Sequence, residues 1–208
     1  MKKNLFSAMK KLLETKNLSL TRNDYCIFSD INLDIQEGQL INIYGKNGAG
    51  KTSLLKILAG ITEHTDGEII YHNDLDVSTS WRPTTYIGHK YAIKNNLTAY
   101  ENLYYSLESS NDEQIILDAL EVYKMMDYKD SLIKHLSHGQ QKRISLMKII
   151  TNFAFLYLID EPYSSLDEDG IKIFNETVQG LLSTGSSVVI TNHTEINNIF
   201  PNTINYKI

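Results

Sequence analysis

An octapeptide near the first quarter of the chain, Gly45-Lys46-Asn47-Gly48-Ala49-Gly50-Lys51-Thr52, satisfies the pattern G-x-x-x-x-G-K-[ST] in full. Glycines in such a run let backbone N–H groups wrap around phosphate oxygens, and a helix starting at the lysine adds partial positive charge. Lys51 is then placed to reach the β- and γ-phosphates of a nucleoside triphosphate. Thr52 offers a hydroxyl to Mg²⁺, and Ser53 is a second, weaker hydroxyl candidate. A second chemical element is Leu156-Tyr157-Leu158-Ile159-Asp160-Glu161, an apolar run ending in two carboxylates. At the carboxyl end of a buried strand, where ligands of open α/β sheets collect, Asp160 can hold Mg²⁺ through water and Glu161 can polarise an attacking water as general base. A strand end that merely runs into an acidic turn at Glu161-Pro162 would look the same in isolation. A third element, Leu136-Ser137-His138-Gly139-Gln140-Gln141-Lys142-Arg143, spaces Ser137 and Gln140 as a helix capping box, which accounts for both residues without any function.

The elements needed to hold these groups are legible around them. Leu40-Ile41-Asn42-Ile43-Tyr44 reads as a strand entering the glycine loop. Leu54, Leu55, Ile57, Leu58 and Ala59 recur at helical spacing after it, with Gly60 placed to end that helix. Strand, loop and helix thus come in the order a phosphate site requires. Leu12 to Leu20 and Tyr25 to Ile35 read as two earlier strands joined to the first of these by a turn at Glu37-Gly38. Thr98 and Glu101 are spaced as a capping box, and Ile115, Ile116, Ala119 and Leu120 line a further helix, so a helical subdomain is expected over about residues 90–150. Phe153 to Ile159 and Ser187 to Thr191 are continuous apolar runs, as buried parallel strands are.

Composition narrows the classes. The 208 residues suit one sizeable domain, expected over residues 12–208 after a short extension at 1–11. A net charge of -5 argues against a broad nucleic-acid footprint. Cys26 stands alone, so nothing requires an oxidising compartment. No stretch approaches the roughly 18 apolar residues of a membrane-spanning helix, so a membrane role is expected to run through a separate partner.

The order of these three elements, a phosphate loop, then L-S-x-G-Q, then an apolar strand ending Asp-Glu, resembles the ATP-binding cassette (ABC) ATPases from about Leu12 to about Pro201. The resemblance implies a P-loop α/β fold: a mixed sheet core flanked by helices, an antiparallel β subdomain and an inserted helical subdomain. It implies ATP and Mg²⁺ as ligands, with Gly45 to Ser53 on the nucleotide and Thr52 and Asp160 on the metal. Two copies would pair head to tail, so that Ser137, His138, Gly139 and Gln140 of one face the γ-phosphate held by the other. Ser164-Ser165-Leu166-Asp167 resembles the loop that crosses this interface, and His193, after Val188-Val189-Ile190-Thr191, resembles the switch histidine beside the γ-phosphate.

Two positions depart from the common family pattern. His89, in Tyr86-Ile87-Gly88-His89-Lys90, occupies the place of the glutamine that couples the site to a transmembrane partner. Arg22, with Tyr25 the nearest aromatic, falls where an aromatic residue usually stacks on the base. His138 replaces a small residue. The stretch from Trp81-Arg82 through His89-Lys90, Ile93-Lys94, Leu97-Thr98-Ala99 and Glu101-Asn102-Leu103, with the doubled Gln140-Gln141 before basic residues, is similar to one branch: the ATP-binding subunits of cytochrome c maturation haem exporters. That branch implies a CcmB-like permease partner, further haem-handling membrane proteins, and a place on the cytoplasmic face of the inner membrane or of an organelle of bacterial descent. A cassette serving another substrate, a soluble non-transport ABC ATPase and a non-hydrolysing nucleotide-gated module are the rival readings. The presence of Glu161 favours an enzyme.

Overall fold

In the computed structural model the chain's most apolar runs become the middle of a parallel sheet. The structure describes residues 10–72, 84–89, 92–107, 113–197, 199–200 and 203–208. Trp81, Arg82, Lys90, Pro201 and the first nine residues of the expected extension lie outside them.

Strands β4 (Leu40–Tyr44), β6 (Thr84–Ile87), β7 (Leu156–Ile159), β8 (Ser187–Asn192) and β9 (Ile204–Lys207) form a sheet in the order β6-β7-β8-β4-β9, with every neighbouring pair parallel. Side chains alternate between the two faces, as strand geometry demands. Ile41, Ile43, Leu156, Leu158 and Val189 face one core layer together with Leu54, Leu55, Ile57 and Leu58 of helix α1 (Lys51–Leu58). Leu40, Tyr157, Ile159, Val188 and Ile190 face the other. Each fully buried aliphatic side chain contributes about 1.5–3 kcal/mol, so the sheet's centre is the rigid scaffold on which the loops at its carboxyl edge are carried.

The second core layer is built from helices α2 (Ala99–Tyr104), α3 (Glu113–Val122), α4 (His138–Leu146), α5 (Lys148–Thr151) and α6 (Glu168–Ser183). The first four, with short 3₁₀ turns at Met126–Tyr128 and Ile133–His135, make up the expected helical subdomain. Both capping boxes form. Thr98 Oγ1 accepts from Glu101 N–H at 3.1 Å while Glu101 accepts from Thr98 N–H at 2.8 Å. Ser137 Oγ accepts from Gln140 N–H at 3.3 Å while Gln140 Oε1 accepts from Ser137 N–H at 2.8 Å.

A separate antiparallel sheet holds β1 (Lys11–Arg22), β2 (Tyr25–Ile31), β3 (Asp34–Gln36) and β5 (Asp66–Tyr71), all pairing with β1. Two expectations shift here. The first strand is longer than Leu12 to Leu20 at both ends, and the stretch from Tyr25 to Ile35 is two strands rather than one. Two features mark the break: Asp30 takes a left-handed φ of 56°, and the Asn32 carboxamide reaches back to accept from Asn17 N–H at 2.9 Å. The chain therefore leaves one part of β1 and rejoins it elsewhere. Among the described residues the antiparallel strand pairs lie in this sheet, with one isolated antiparallel bridge elsewhere, between Thr98 and Leu132.

Candidate functional site

The glycine loop leaves β4 and opens α1 as its spacing requires. Gly48 and Gly50 have φ of 83° and 96°, and a Cβ on Gly50 would meet Ile27 Cγ2 at 2.7 Å and Phe28 Cδ1 at 2.9 Å. Here glycine is needed both for backbone conformation and for the close approach of β2. No side chain caps the start of α1, and no acidic residue stands in its first turn, so its N–H groups are left for an anionic ligand. Lys51 is 6 % exposed, with Nζ donating to the carbonyls of Gly45 at 2.8 Å and Lys46 at 3.0 Å. The loop's own backbone thus keeps the ammonium folded into the glycine loop.

A continuous polar run connects this loop to the end of β7. Thr52 Oγ1 donates to Asp160 Oδ2 at 2.8 Å, and Thr191 Oγ1, on β8, donates to Asp160 Oδ1 at 2.6 Å. The same Thr191 hydroxyl accepts from Glu161 N–H at 2.8 Å. Asp160 is 1 % exposed, so both its oxygens are met by hydroxyls where an uncompensated carboxylate would be costly. This hydroxyl–carboxylate pair is a hard-oxygen donor set suited to Mg²⁺. Burial, assisted by the Asp160 charge, pushes the Tyr86 phenol up to about 12, so it stays protonated beside the site.

Glu161 has a left-handed φ of 45°, uncommon for a residue with a side chain. Its Oε1 lies 3.6 Å from His193 Nε2 and its Oε2 lies 3.6 Å from His89 Nδ1. Asn42 steadies the segment after β8: its amide donates to Thr194 O at 3.0 Å and to Asn205 Oδ1 at 2.7 Å. A Cβ on Gly88 would lie 3.0 Å from the Tyr86 hydroxyl, so glycine fits the tight exit from β6 before His89. Asn47, Gly48, Thr52, His89, Glu161 and His193 line one cavity of about 640 Å³. A smaller cavity of about 240 Å³ runs along Gly48 to Ser53, with Ile27 and Glu161 also in its lining.

Ser137, Gly139 and Gln140 line a different cavity of about 510 Å³, with Arg143, Ser165, Asp167 and residues of the helical subdomain. It shares no lining residue with the two cavities beside Thr52. His138 is the exposed first residue of α4. Asp167 caps α6 by accepting from Gly170 N–H at 2.9 Å and pairs with Arg143, whose guanidinium holds its carboxyl below the usual range. Arg22 and Tyr25 face each other across the first hairpin, both exposed, and neither lines these cavities. Ile27 and Phe28, just beyond Tyr25, are the hairpin residues that come up against Gly50, and Ile27 lines the smaller cavity.

Three contributors went unread in the sequence: Ile27, Thr191 and Lys142. Thr191 closes an apolar run and signals only strand. Lys142 is fully buried on α4, with Nζ donating to the Asp160 carbonyl at 3.3 Å. Its signal was a lysine two places past the Gln140 cap, a position that reads as solvent-facing.

A glycine loop at the end of a parallel strand, its lysine held by the loop's own carbonyls and its threonine bonded to a buried aspartate at the end of β7, with β8 between the two strands, defines a P-loop nucleoside triphosphatase. The family model described as ABC transporter matches residues 28–164. The cytochrome c biogenesis ATP-binding export protein CcmA of Tatumella citrea is 35 % identical over 189 residues, covering 89 % of this chain and 90 % of that protein. A Pyrococcus furiosus protein described as the ATP-binding protein of an ABC transporter superposes with a TM-score of 0.77 at 24 % identity, covering 94 % of this chain and 96 % of that one. An ATP-binding cassette solved as a dimer in a post-hydrolysis state with ADP and Pi gives a TM-score of 0.74 at 23 % identity, with 88 % of each chain covered. The chain belongs to the ABC transporter family and is an ATPase.

Proposed function

We propose that this chain is the ATP-hydrolysing subunit of an ABC complex acting in cytochrome c biogenesis, in haem export or in release of a haem-loaded chaperone. The observation that carries the branch is the similarity to CcmA over nearly the full length of both proteins. In this reading residues 12–208 form one ABC domain following the extension at 1–11. Two copies close head to tail on ATP at the cytoplasmic face of the inner membrane. A permease resembling CcmB, and through it other haem-handling membrane proteins, receives the motion. Among the described residues no helix is long and apolar enough to cross a membrane, which fits a peripheral subunit.

The chemistry follows from the bonded run through Asp160. Gly45 to Ser53 bind the triphosphate through backbone N–H groups, with Lys51 on the β- and γ-phosphates. Thr52 and Asp160 would hold Mg²⁺, which supplies positive charge to the phosphate oxygens. Thr191, by accepting from the Glu161 N–H while donating to Asp160, fixes the spacing between metal ligand and base. Glu161 takes the proton of the attacking water, and His193 orients it and meets the γ-phosphate. Ser137 to Gln140 of the second copy, at the capped start of α4, close over that phosphate, and Asp167 lies at the interface. The base rests against the first hairpin, where Ile27 packs on the loop and Arg22 or Tyr25 stacks from above. His89 lies on the loop that couples the site to the permease.

Purifying the chain with its native membrane partners and identifying them tests the assignment. Recovery of a CcmB-like permease with haem-handling proteins is the expected result. A permease unrelated to cytochrome maturation, or soluble partners alone, would overturn the branch while leaving the ATPase intact.

A further inference from the structure

Glu161 is bracketed from two sides. His193 approaches Oε1 from the end of β8, and His89 approaches Oε2 from the end of β6, so the imidazoles come from separate strands of one sheet. Among the described residues, no other side chain forms an ion pair with its oxygens. The Glu161 backbone is already fixed by its left-handed φ and by the bond from its N–H to Thr191. The carboxylate is not: beyond the backbone, its orientation depends on what reaches its oxygens. A base works only if its lone pair points at the water it deprotonates, and small angular errors are costly.

We propose that His89 is a second positioning residue for the Glu161 carboxylate, donating from Nδ1 to Oε2 while His193 meets Oε1. This deepens, and rests on, the reading of Glu161 as the base. At 3.6 Å each contact is within ion-pair reach but long for a direct hydrogen bond, and a closure of about 0.6–0.8 Å makes it one. Catalytic contacts are commonly this loose before substrate is engaged. The geometry also explains which nitrogen is used. Nδ1 is two bonds from Cβ, so it reaches only what lies beside the loop's own backbone, and here that is Glu161. A displacement of the loop after β6 therefore turns the base directly.

An asparagine places its amide nitrogen the same two bonds from Cβ, whereas leucine offers no donor. The full-length chain, purified with its membrane partners, is compared as wild type, His89→Leu, His89→Asn and Glu161→Gln, with nucleotide affinity and melting temperature measured alongside. The expected result for His89→Leu is a fall in kcat of about tenfold with KM for ATP within about twofold, and for His89→Asn a recovery to within about threefold of wild type. Wild-type kcat in His89→Leu, a loss that His89→Asn does not restore, or a rise in KM at unchanged kcat would each overturn the assignment. Glu161→Gln separates the two readings. Near-wild-type turnover there removes Glu161 as the base, whereas an inactive Glu161→Gln beside a normal His89→Leu overturns only the role of His89.

Discussion

Replacing Lys142 with methionine measures what it costs this fold to keep a charge beneath the end of β7. Burial pushes the Lys142 ammonium from 10.5 down to about 8, against the opposing attraction of Asp160 and Glu161. At about 1.36 kcal/mol per pH unit, holding that proton near neutrality costs the folded state about 3 kcal/mol relative to the unfolded chain. Methionine fills a similar volume without the charge, but leaves the Asp160 carbonyl short of one donor, a loss of about 1 kcal/mol. The net expectation near pH 7 is a variant more stable by about 2 kcal/mol, or roughly 4–8 °C in Tm for a chain of this size. The sign of the pH dependence follows from the same shift. Because the folded pKa lies below the unfolded one, the unfolded chain binds more protons between about 8 and 10.5, and wild type gains on the variant across that interval. By about pH 9.5 the advantage of methionine should have nearly vanished. Urea denaturation of both proteins, without nucleotide and with chelator present, follows the difference directly. A variant less stable than wild type near neutrality, or a gap that does not narrow with rising pH, would refute the reasoning.

Other substitutions address the chemistry. Glu161→Gln should retain ATP binding, lower kcat by at least about 10²-fold and accumulate a nucleotide-bound dimer, as followed by turnover and by size-exclusion chromatography with ATP. Lys51→Ala should abolish ATP binding, and unchanged affinity in a fluorescent-nucleotide titration would overturn the loop assignment. Thr191→Val removes a donor to a buried carboxylate and an acceptor for the Glu161 N–H, so a loss of about 1.5–3 kcal/mol in denaturation is expected, with a higher Mg²⁺ requirement for hydrolysis.

What the sequence disclosed and what it hid divide along physical lines. Gly45 to Thr52, the Thr98 and Ser137 capping boxes and the apolar runs of β7 and β8 were legible because each is specified by neighbours a few residues away. The split of the stretch from Tyr25 to Ile35 was not, since it depends on Asn32 reaching back to Asn17. Thr191 carries no local sign that its hydroxyl will sit between two residues thirty positions earlier. Lys142 reads as a surface residue by type, and only the packing of α4 against the end of β7 buries it. The base-stacking candidates Arg22 and Tyr25 rest on position along the chain, and nothing local to the hairpin announces that its neighbouring Ile27 and Phe28 come up against Gly50.

The cavity beside Thr52 and the cavity at Ser137 have no residue in common, and this has a consequence for genetics. If each nucleotide is enclosed by one cavity from each of two copies, a Lys51 defect and a Ser137 defect lie in complementary halves. Random pairing of two such inactive chains puts both lesions into one site of every mixed dimer and leaves the other site whole, so about a quarter of all sites regain full equipment. Two dead alleles expressed together would then support growth that neither supports alone, whereas two lesions in the same cavity would not.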